Sequence, residues 1–525
     1  MSYSPVLYHS EYEGFQLHYP TYKIPLIAMC LTKFDVKKGN TVLWKASNSS
    51  EVDLSNIEFK TLPSGIHERE QDFINFVIPK KNGDLYYGIA LFSQNGLQMV
   101  KQVATSHIDR TKVEMYSLAV IVDPRSMEED FSESKFYRVK PNFYTCVNEY
   151  MDDLSNLLKN WTANSNLEGL EHYYAANKGP SNSSPLYPAL STSKMRPLSV
   201  NSSPNYVRTG DHKMDAETYK PQKSWLYLLP ELVEQIGPLI FTLWKSCLLR
   251  ERILIVNEHG ESFERCNALI YCLSVLSSIP ERLEREIPHN MQQLQTLYTI
   301  GITDLDYLSE LVSAALTRAT DDNYALPNYI SSTGDEILAQ RDDLFDLVFM
   351  FSNGMECVAL RHGDPIKATP QEWGLFQHVS NHYLNREYGD SKLLCYLSNV
   401  EPLSWSQYII DSLYWWTTAG YLQPSYHQRH LTEDYDPVIE KDELEVMFGL
   451  VEYFHNRTTF LYERLSRLID RSDGDEDKIV ISPFSLVECG LDCFSSQDYA
   501  FIKTLGEKWF KKHIDVRSVD LSLCC

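Results

Sequence analysis

Over the first 160 positions, apolar residues occur in short runs separated by turn-forming residues. The runs are rich in β-branched and aromatic residues, as strands are, and they lie at 22–32, 41–44, 72–78, 85–92 and 113–122. A Lys-Asn-Gly-Asp turn at 81–84 joins the third and fourth runs as a hairpin. From 143 to 161 apolar residues recur at helical spacing instead. The pattern predicts a sheet of roughly five strands with a flanking helix.

A second block, from 224 to about 345, alternates between helical and extended patterns. Helices are predicted at 229–249, 261–278 and 305–317, and strands at 252–256, 297–302 and 325–330. Strands that alternate with helices through short loops are typical of a mostly parallel α/β sheet.

After about residue 340 the apolar spacing becomes helical throughout. Helical segments are predicted within 343–351, 372–384, 404–422, 443–469 and 497–513. The fold class is therefore α/β, with two α/β modules followed by a mainly helical carboxyl-terminal region. The predicted divisions are a first module at 1–163, a linker at 164–222, a central module at 223–345 and a downstream region at 346–525.

The linker is predicted from its composition. Between 179 and 204, 15 of the 26 residues are Ser, Pro or Asn. Such a stretch has too little apolar surface to offset the entropy of ordering it, so 164–222 is predicted to be a disordered linker or a long insertion.

Composition narrows the classes of function. The chain has 525 residues and a formal net charge of −23, which disfavours nucleic-acid binding because that requires basic surface. The first residues lack a secretory signal, and no apolar run approaches the roughly 20 residues of a membrane-spanning helix. The 11 scattered cysteines suit a reducing compartment. We expect a cytoplasmic protein, peripheral on an intracellular membrane where it meets one.

The sequence contains none of the common catalytic or nucleotide-binding motifs. GxxxxGK[ST], GxGxxG, GxSxG and HExxH are all missing. His378 and His382 share a helix face and could supply two metal ligands or simply pack, and no third ligand is placed. Cys489 and Cys493 would also share a face if their segment is helical, or they are simply two buried thiols. No metal or cofactor is predicted.

The chain ends in two adjacent cysteines, Cys524 and Cys525. One interpretation is that they are lipidated and hold the protein on a membrane, where two chains anchor stably and one is marginal. Lysines and aromatic residues at 503–512 would suit a membrane interface, although Asp515 and Asp520 weaken that patch. The alternative is an unmodified tail.

Three stretches of the second block resemble the DENN domain. They read GPLIFTLWKSCLLRERILIV (237–256), YTIGITDLDYL (298–308) and YISSTGDEILAQRDDLFDL (329–347). The last is similar to the family signature T-T-D-E-I-L followed by L-Y-D, with Gly334 where Thr is common and Phe345 where Tyr is. The stretch 52–78 resembles the LCHN-type branch, which has fungal members. The resemblance covers roughly 24–350.

This resemblance implies a longin-like first module, a central DENN module and a helical downstream region. It also implies guanine-nucleotide exchange on a Rab-type small GTPase in membrane trafficking, on a secretory, endosomal or lipid-droplet surface. Exchange breaks no covalent bond, which agrees with the missing catalytic motifs. The alternative is a non-catalytic DENN scaffold or tether that binds a GTPase or a membrane. An unrelated enzyme is a third reading, which no motif supports.

Within the central module, we place the predicted GTPase contacts at Asp304, Asp335 and Glu336. These carboxylates lie at strand or helix ends of the second block. The competing interpretation is that all three stabilise helix N-termini, as capping or first-turn acids do.

Overall fold

The structure is a computed structural model. It describes residues 23–95, 113–124, 145–179, 224–258, 260–288, 291, 293–318, 327–352, 356–384, 388–417, 443–471 and 478–516. The strands, numbered in chain order, are β1 Leu26–Asp35, β2 Gly39–Ser47, β3 Gln71–Pro79, β4 Leu85–Gln94, β5 Met115–Val122, β6 Arg252–Glu258, β7 Thr296–Thr299, β8 Tyr329–Thr333, β9 Leu347–Ser352, β10 Val358–Arg361, β11 Asp364–Ile366, β12 Lys478–Ile481 and β13 His513–Val516.

The helices are α1 Ile57–Thr61, α2 Met151–Asn164, α3 Glu168–Asn177, α4 Leu229–Ile236, α5 Leu239–Leu248, α6 Phe263–Leu276, α7 Leu305–Arg318, α8 Pro370–Val379, α9 Asp390–Ser398, α10 Trp405–Thr417, α11 Glu443–Arg471, α12 Pro483–Glu488 and α13 Ser496–Phe510. Within the described residues one sheet has 11 strands in the order β11-β10-β9-β6-β8-β7-β3-β4-β5-β1-β2. β12 and β13 form a separate parallel pair.

The amino-terminal module is the antiparallel half of this sheet, β3-β4-β5-β1-β2. Both faces of its inner strands are buried. On β4, Ile89 and Leu91 face the large core that the sheet shares with the helices, whereas Ala90 and Phe92 face a smaller core beside α1. All five predicted strands and the hairpin turn are confirmed, because alternating runs between turn residues are a strong local signal.

The predicted linker 164–222 is wrong over its first part. α3 lies inside it, with Leu170 and Tyr174 buried against the sheet one helical turn apart. The Tyr174 hydroxyl donates to the Ile27 carbonyl at 3.2 Å, and Lys178 forms a bridge with Leu26. Two apolar anchors among polar residues are enough to hold a short helix by tertiary packing. The remainder of the predicted linker, from 180 to 222, lies outside the described residues.

The central module is the parallel half of the sheet, and the predicted parallel α/β arrangement is confirmed. β6 pairs with β8 on one side and with β9 on the other, and β7 pairs with β8, all in parallel. Since the strands run in one direction, their carboxyl ends meet at one edge of the sheet. α6 packs on β3, β7 and β8 and closes the core over them.

The helix predicted at 229–249 is two helices, α4 and α5, bent by 120°. The bend falls at Gly237, whose φ of +67° suits glycine, and Pro238 follows. A Cβ on Gly237 would lie 2.4 Å from the Tyr396 ring, so this glycine also allows α9 to approach. No single described helix is long and apolar enough to cross a bilayer, and α4 with α5 meets that criterion only as a bent pair.

The prediction of helix at 343–351 is also wrong, because Leu347–Ser352 forms β9, a buried strand of the central sheet. A short apolar run that is buried on both faces carries neither period clearly, so its spacing cannot distinguish a strand from a helix. β10 and β11 extend the sheet further. The central module therefore continues to Ile366, past the predicted boundary at 345.

The carboxyl-terminal region is mainly helical, as predicted, and a buried ion cluster ties it to the central module. The Lys245 amine on α5 contacts the Glu372 carboxylate of α8 at 2.7 Å and the Asp498 carboxylate of α13. Burial alone would lower the pKa of Lys245, but the two carboxylates outweigh burial and raise it. Lys245 therefore stays charged at neutral pH.

Replacing Lys245 with Met should remove the cation and leave two buried carboxylates unpaired. We expect the free energy of unfolding to fall by about 3–5 kcal/mol, measured by urea denaturation with circular dichroism. The control is Lys478→Met, which breaks the exposed pair between Lys478 and Asp515 and should have little effect. Equal effects of the two substitutions would contradict a stabilising role for the buried cluster.

Candidate functional site

The loops that follow β7 and β8 lie side by side at the carboxyl edge of the parallel strands. The Gly301 amide donates to Asp304 Oδ2 at 3.0 Å. Asp335 Oδ2 lies 3.5 Å from the position a Cβ would take on Gly301. The structure therefore brings Asp304 and Asp335 to the same place, and Glu336 follows in the second loop. In parallel α/β sheets, ligands bind at this kind of edge.

Asp304 contacts the amino-terminal module. Its Oδ1 lies 2.5 Å from Nζ of Lys60, which belongs to α1. The side chains are only 12% and 9% exposed for Lys60 and Asp304, so the pair is largely shielded from water. With Oδ2 held by Gly301, both carboxylate oxygens of Asp304 are engaged within the protein. Asp304 precedes α7 directly, as the capping interpretation expects.

Asp335 and Glu336 are more accessible than Asp304. Asp335 is half-buried, and its backbone amide donates to Oγ1 of Thr333 at 3.0 Å, which orders the loop. The Leu338 amide donates to the Asp335 carbonyl at 3.0 Å as a short 3₁₀ turn begins. Glu336, in the first turn, is exposed. Their carboxylates are therefore placed where a bound protein can reach them.

The amino-terminal module packs directly on the second loop. A Cβ on Gly334 would lie 2.0 Å from the Ser64 carbonyl oxygen and 3.0 Å from its carbonyl carbon. Because the obstacle is backbone, a side chain at this position would require the two modules to move apart. The chain thus has Gly at the point of closest approach.

A third contact caps α6 from the neighbouring module. Asp72 on β3 accepts hydrogen bonds from Oγ of Ser262 at 2.8 Å and from the Phe263 amide at 2.7 Å. Burial raises the pKa of Asp72, and these hydrogen bonds oppose that shift. The Phe263 side chain is buried in the smaller core with residues of the amino-terminal module. An acid at a helix N-terminus stabilises the helix, so β3 and α6 are held together.

Exposed apolar side chains flank these contacts. Phe59 precedes Lys60, Ile302 precedes Asp304 by two residues, and Ile337 follows Asp335 by two; they are 44%, 55% and 61% exposed. We call these three residues the junction patch. Neither the patch nor Lys60 can be recognised from the sequence, because Lys60 and Asp304 are 244 positions apart and carry no local sign of pairing. The one feature of the sequence that could have indicated the patch is that Ile302 and Ile337 are isolated apolar residues close to the acids Asp304 and Asp335.

The two pairs of possible metal ligands gain no third ligand from the residues that the structure describes. The rings of His378 and His382 stack at 5.7 Å with an angle of 5°. Cys489 is buried, which raises its pKa to about 12, and Cys493 is half-buried. Among the residues that the structure describes, no group of three or more His, Cys, Asp or Glu side chains is placed to hold a metal ion.

The carboxyl-terminal region forms a cavity of about 330 Å³ with α5, and the cavity includes Lys245 and Arg361. Both cations are already paired. Lys245 belongs to the buried cluster, and Arg361 makes two bonds to Glu251 at 2.8 and 2.9 Å. The cavity therefore offers no free cation to an anionic ligand. Cys524 and Cys525 lie outside the described residues, and their lipidation stays a prediction.

The fold and this site define a two-module α/β protein with a composite surface where the modules join. The chain belongs to the DENN domain-containing protein 11 family, whose model matches residues 29–357 and so spans both modules. The DENN resemblance is thereby confirmed. A domain of unknown function matches residues 471–525.

Relatives extend this similarity over most of the chain. The uncharacterized protein ANR2 of Saccharomyces cerevisiae is 31% identical over 519 residues, which cover 93% of this chain and 92% of that protein. DENN domain-containing protein 11 of Danio rerio is 23% identical over 331 residues, and that of Xenopus laevis is 24% identical over 339 residues. These matches cover 62% and 61% of this chain, and 53% and 59% of the two vertebrate proteins.

Lys60 and Asp304 should stabilise the junction cooperatively. In a double-mutant cycle with Lys60→Met and Asp304→Asn, we expect a coupling energy of about 1–2 kcal/mol, from urea unfolding of the four proteins. The Asn side chain can still accept from the Gly301 amide, so the cycle isolates the ion pair. Asp306→Asn is the control, because Asp306 is exposed and lies two residues after Asp304. Its effect on the free energy of unfolding should be additive with that of Lys60→Met.

Proposed function

We propose that this chain is a guanine-nucleotide exchange factor for a Rab-type small GTPase and that the GTPase docks on the junction patch. Proteins with DENN domains are commonly Rab exchange factors in membrane trafficking. The observation that carries the proposal is the group of exposed apolar side chains, Phe59, Ile302 and Ile337, at the joint of the two modules. Apolar side chains with a polar rim are typical of the centre of a protein interface.

The acids of the site take different parts in this proposal. Asp335 and Glu336 belong to the polar rim and contact the GTPase directly. Asp304 acts as a positioning residue, because both of its carboxylate oxygens are already bound, one to Lys60 and one to Gly301. Through Lys60 it fixes α1, and with it Phe59, against the central module.

Exchange needs no acid, base or nucleophile, and this is why the sequence lacks their motifs. The factor binds the nucleotide-free GTPase best, and by linkage it weakens nucleotide binding by the same factor. It does so by displacing the switch segments that hold the phosphates and magnesium in a GTPase. A docking surface must hold its shape to favour one GTPase conformation over another. The three contacts between the modules support such a surface.

The test is release of fluorescent GDP from a panel of Rab GTPases. We expect the wild-type chain to accelerate release from one or two members. The double variant Ile302→Asp/Ile337→Asp should lose at least about tenfold in kcat/KM, since charges replace the apolar centre of the interface. The control is Phe484→Asp, at an apolar residue on α12 that is 73% exposed. Thermal unfolding checks that all three proteins are folded.

The outcomes separate exchange from the scaffold alternative. If the wild type accelerates GDP release and the double variant does so equally well, the GTPase does not dock on the junction patch. If no GTPase is accelerated but one binds in a nucleotide-dependent manner, the chain is a scaffold or tether. If none is accelerated or bound, the proposed function fails.

The tail supplies a separate proposal, that Cys524 and Cys525 are acylated and hold the protein on a membrane. Hydroxylamine cleaves thioesters, so it should release the acyl groups from the wild type and shift it from the membrane pellet to the supernatant. Cys524→Ser/Cys525→Ser should be found in the supernatant without treatment. Cys395→Ser, at a half-buried thiol, is the matched control. Equal pelleting of all three proteins would contradict anchoring by the tail.

A further inference from the structure

The segment from 393 to 416 has more exposed large apolar side chains than any other described segment of its length. Nine of the 18 large apolar side chains that are exposed among the described residues lie in these 24 positions. Trp405 and Trp416 are 82% and 75% exposed, respectively, more than any other large apolar side chain described. Contiguous exposed apolar surface on this scale marks a binding site.

On α10 the exposed residues follow one face of the helix. Trp405, Tyr408, Ile409, Leu413 and Trp416 recur at intervals of three and four, the spacing of a single stripe. The ring of Trp405 packs edge-on against that of Tyr408, with centroids 6.4 Å apart. We call this stripe, together with the exposed leucines of α9, the aromatic face.

α9 fixes the position of the aromatic face on the central module. The buried Tyr396 hydroxyl donates to the Glu234 carbonyl on α4, and the Asn399 side-chain amide donates to the Cys357 carbonyl at 3.0 Å. Cys357 follows β9, at the carboxyl edge of the parallel strands. The Gln235 side chain also donates to the carbonyl of Ser352, the last residue of β9, at 2.8 Å.

The α9 part of the aromatic face and the junction patch thus lie along the same edge of the sheet. The junction patch adjoins the ends of β7 and β8, and α9 adjoins the end of β9. With β6 between β8 and β9, these strands span about 14 Å at a spacing of about 4.8 Å. One globular partner is wide enough to contact both surfaces.

The charges on α9 and α10 disfavour two conceivable occupants of the aromatic face. Residues 390–417 contain one cation, Lys392, which pairs with Glu234, and three acids, Asp390, Glu401 and Asp411. Helices that lie on membranes are rich in Lys and Arg on their polar face. A second copy of the chain would bring together two molecules of net charge −23. A protein whose apolar contact region has a basic rim fits the face better.

The area of a typical protein interface indicates that a partner of the junction patch needs a second contact surface. A specific interface buries about 800 Å² on each partner. The three partly exposed side chains of the junction patch cannot supply that area alone, so a partner that docks there must contact further surface.

We infer that the aromatic face is a second contact surface for the same small GTPase, an inference that rests on the proposed function. The junction patch acts on the GTPase conformation, and the aromatic face supplies affinity through Trp405 and Trp416. Large aromatic side chains often dominate binding energy at protein interfaces.

The test uses the full chain and the Rab GTPase that responds in the panel. Exchange rates are measured over a range of exchange-factor concentrations for the wild type and for Trp405→Ala/Trp416→Ala. We expect the concentration for half-maximal rate to rise about tenfold, with the maximal rate within about twofold of the wild type. Phe484→Ala is the control for loss of an exposed ring. Leu394→Ser, on α9, replaces the double variant if thermal unfolding shows that it is misfolded.

Each other outcome overturns the inference in a recognisable way. If the wild type exchanges nucleotide and the variant matches it, the aromatic face does not touch the GTPase. If the variant instead loses flotation with phosphatidylcholine vesicles, the face binds lipid. If sedimentation shows a wild-type dimer that the variant lacks, the face binds a second copy. If the wild type neither exchanges nor binds any GTPase, the proposed function has failed, and this inference fails with it.

Discussion

In the part of the chain that the structure describes, the two modules share one sheet through one pair of residues, Phe76 on β3 and Tyr298 on β7. Tyr298 has a φ of +55°, in the left-handed region that a bulky residue rarely adopts, and the register between β7 and β8 shifts there. Its ring is fully buried and meets Tyr87 at 6.3 Å and Trp225 at 5.8 Å. This packing offsets a backbone strain of about 1–3 kcal/mol. The Phe76 ring, in turn, occupies the space that a Cβ on Gly88 would need.

The other contacts between the modules depend on that pairing. With β3 held beside β7, Asp72 reaches the amino terminus of α6, and α1 meets the loop after β7, where Lys60 reaches Asp304. Each of these polar contacts is buried, so each requires the geometry of the joint to be maintained, because a buried charge that loses its partner is costly. The modules therefore behave as one unit, although the chain between them includes the predicted linker.

The sequence pattern predicted elements whose signal is local and missed those decided by distant packing. The strands of the amino-terminal module alternate between turn residues, so their pattern is sufficient. β9 is apolar on both faces, so its sequence is equally compatible with a helix. α3 has only two buried residues, Leu170 and Tyr174, so its helical pattern is weak. The sequence marked Asp304 and Asp335 only as acids at strand or helix ends, and they meet in the structure because strand ends in a parallel sheet share an edge. Lys60 could not be found, since its partner lies in another module.

A protein that changes its partner's conformation needs affinity as well as a surface that discriminates between conformations. Contacts that bind all forms of a GTPase equally well raise affinity but shift no equilibrium, because only differential binding does so. In our proposals the aromatic face supplies the affinity and the junction patch discriminates between conformations. Affinity gained at α10 can act on a switch at the junction only if the two surfaces keep their separation. The sheet keeps α9 and the junction patch at a fixed separation, since β9, β6, β8 and β7 are hydrogen-bonded side by side between them, and the pairing of Phe76 with Tyr298 joins β3 to the same sheet.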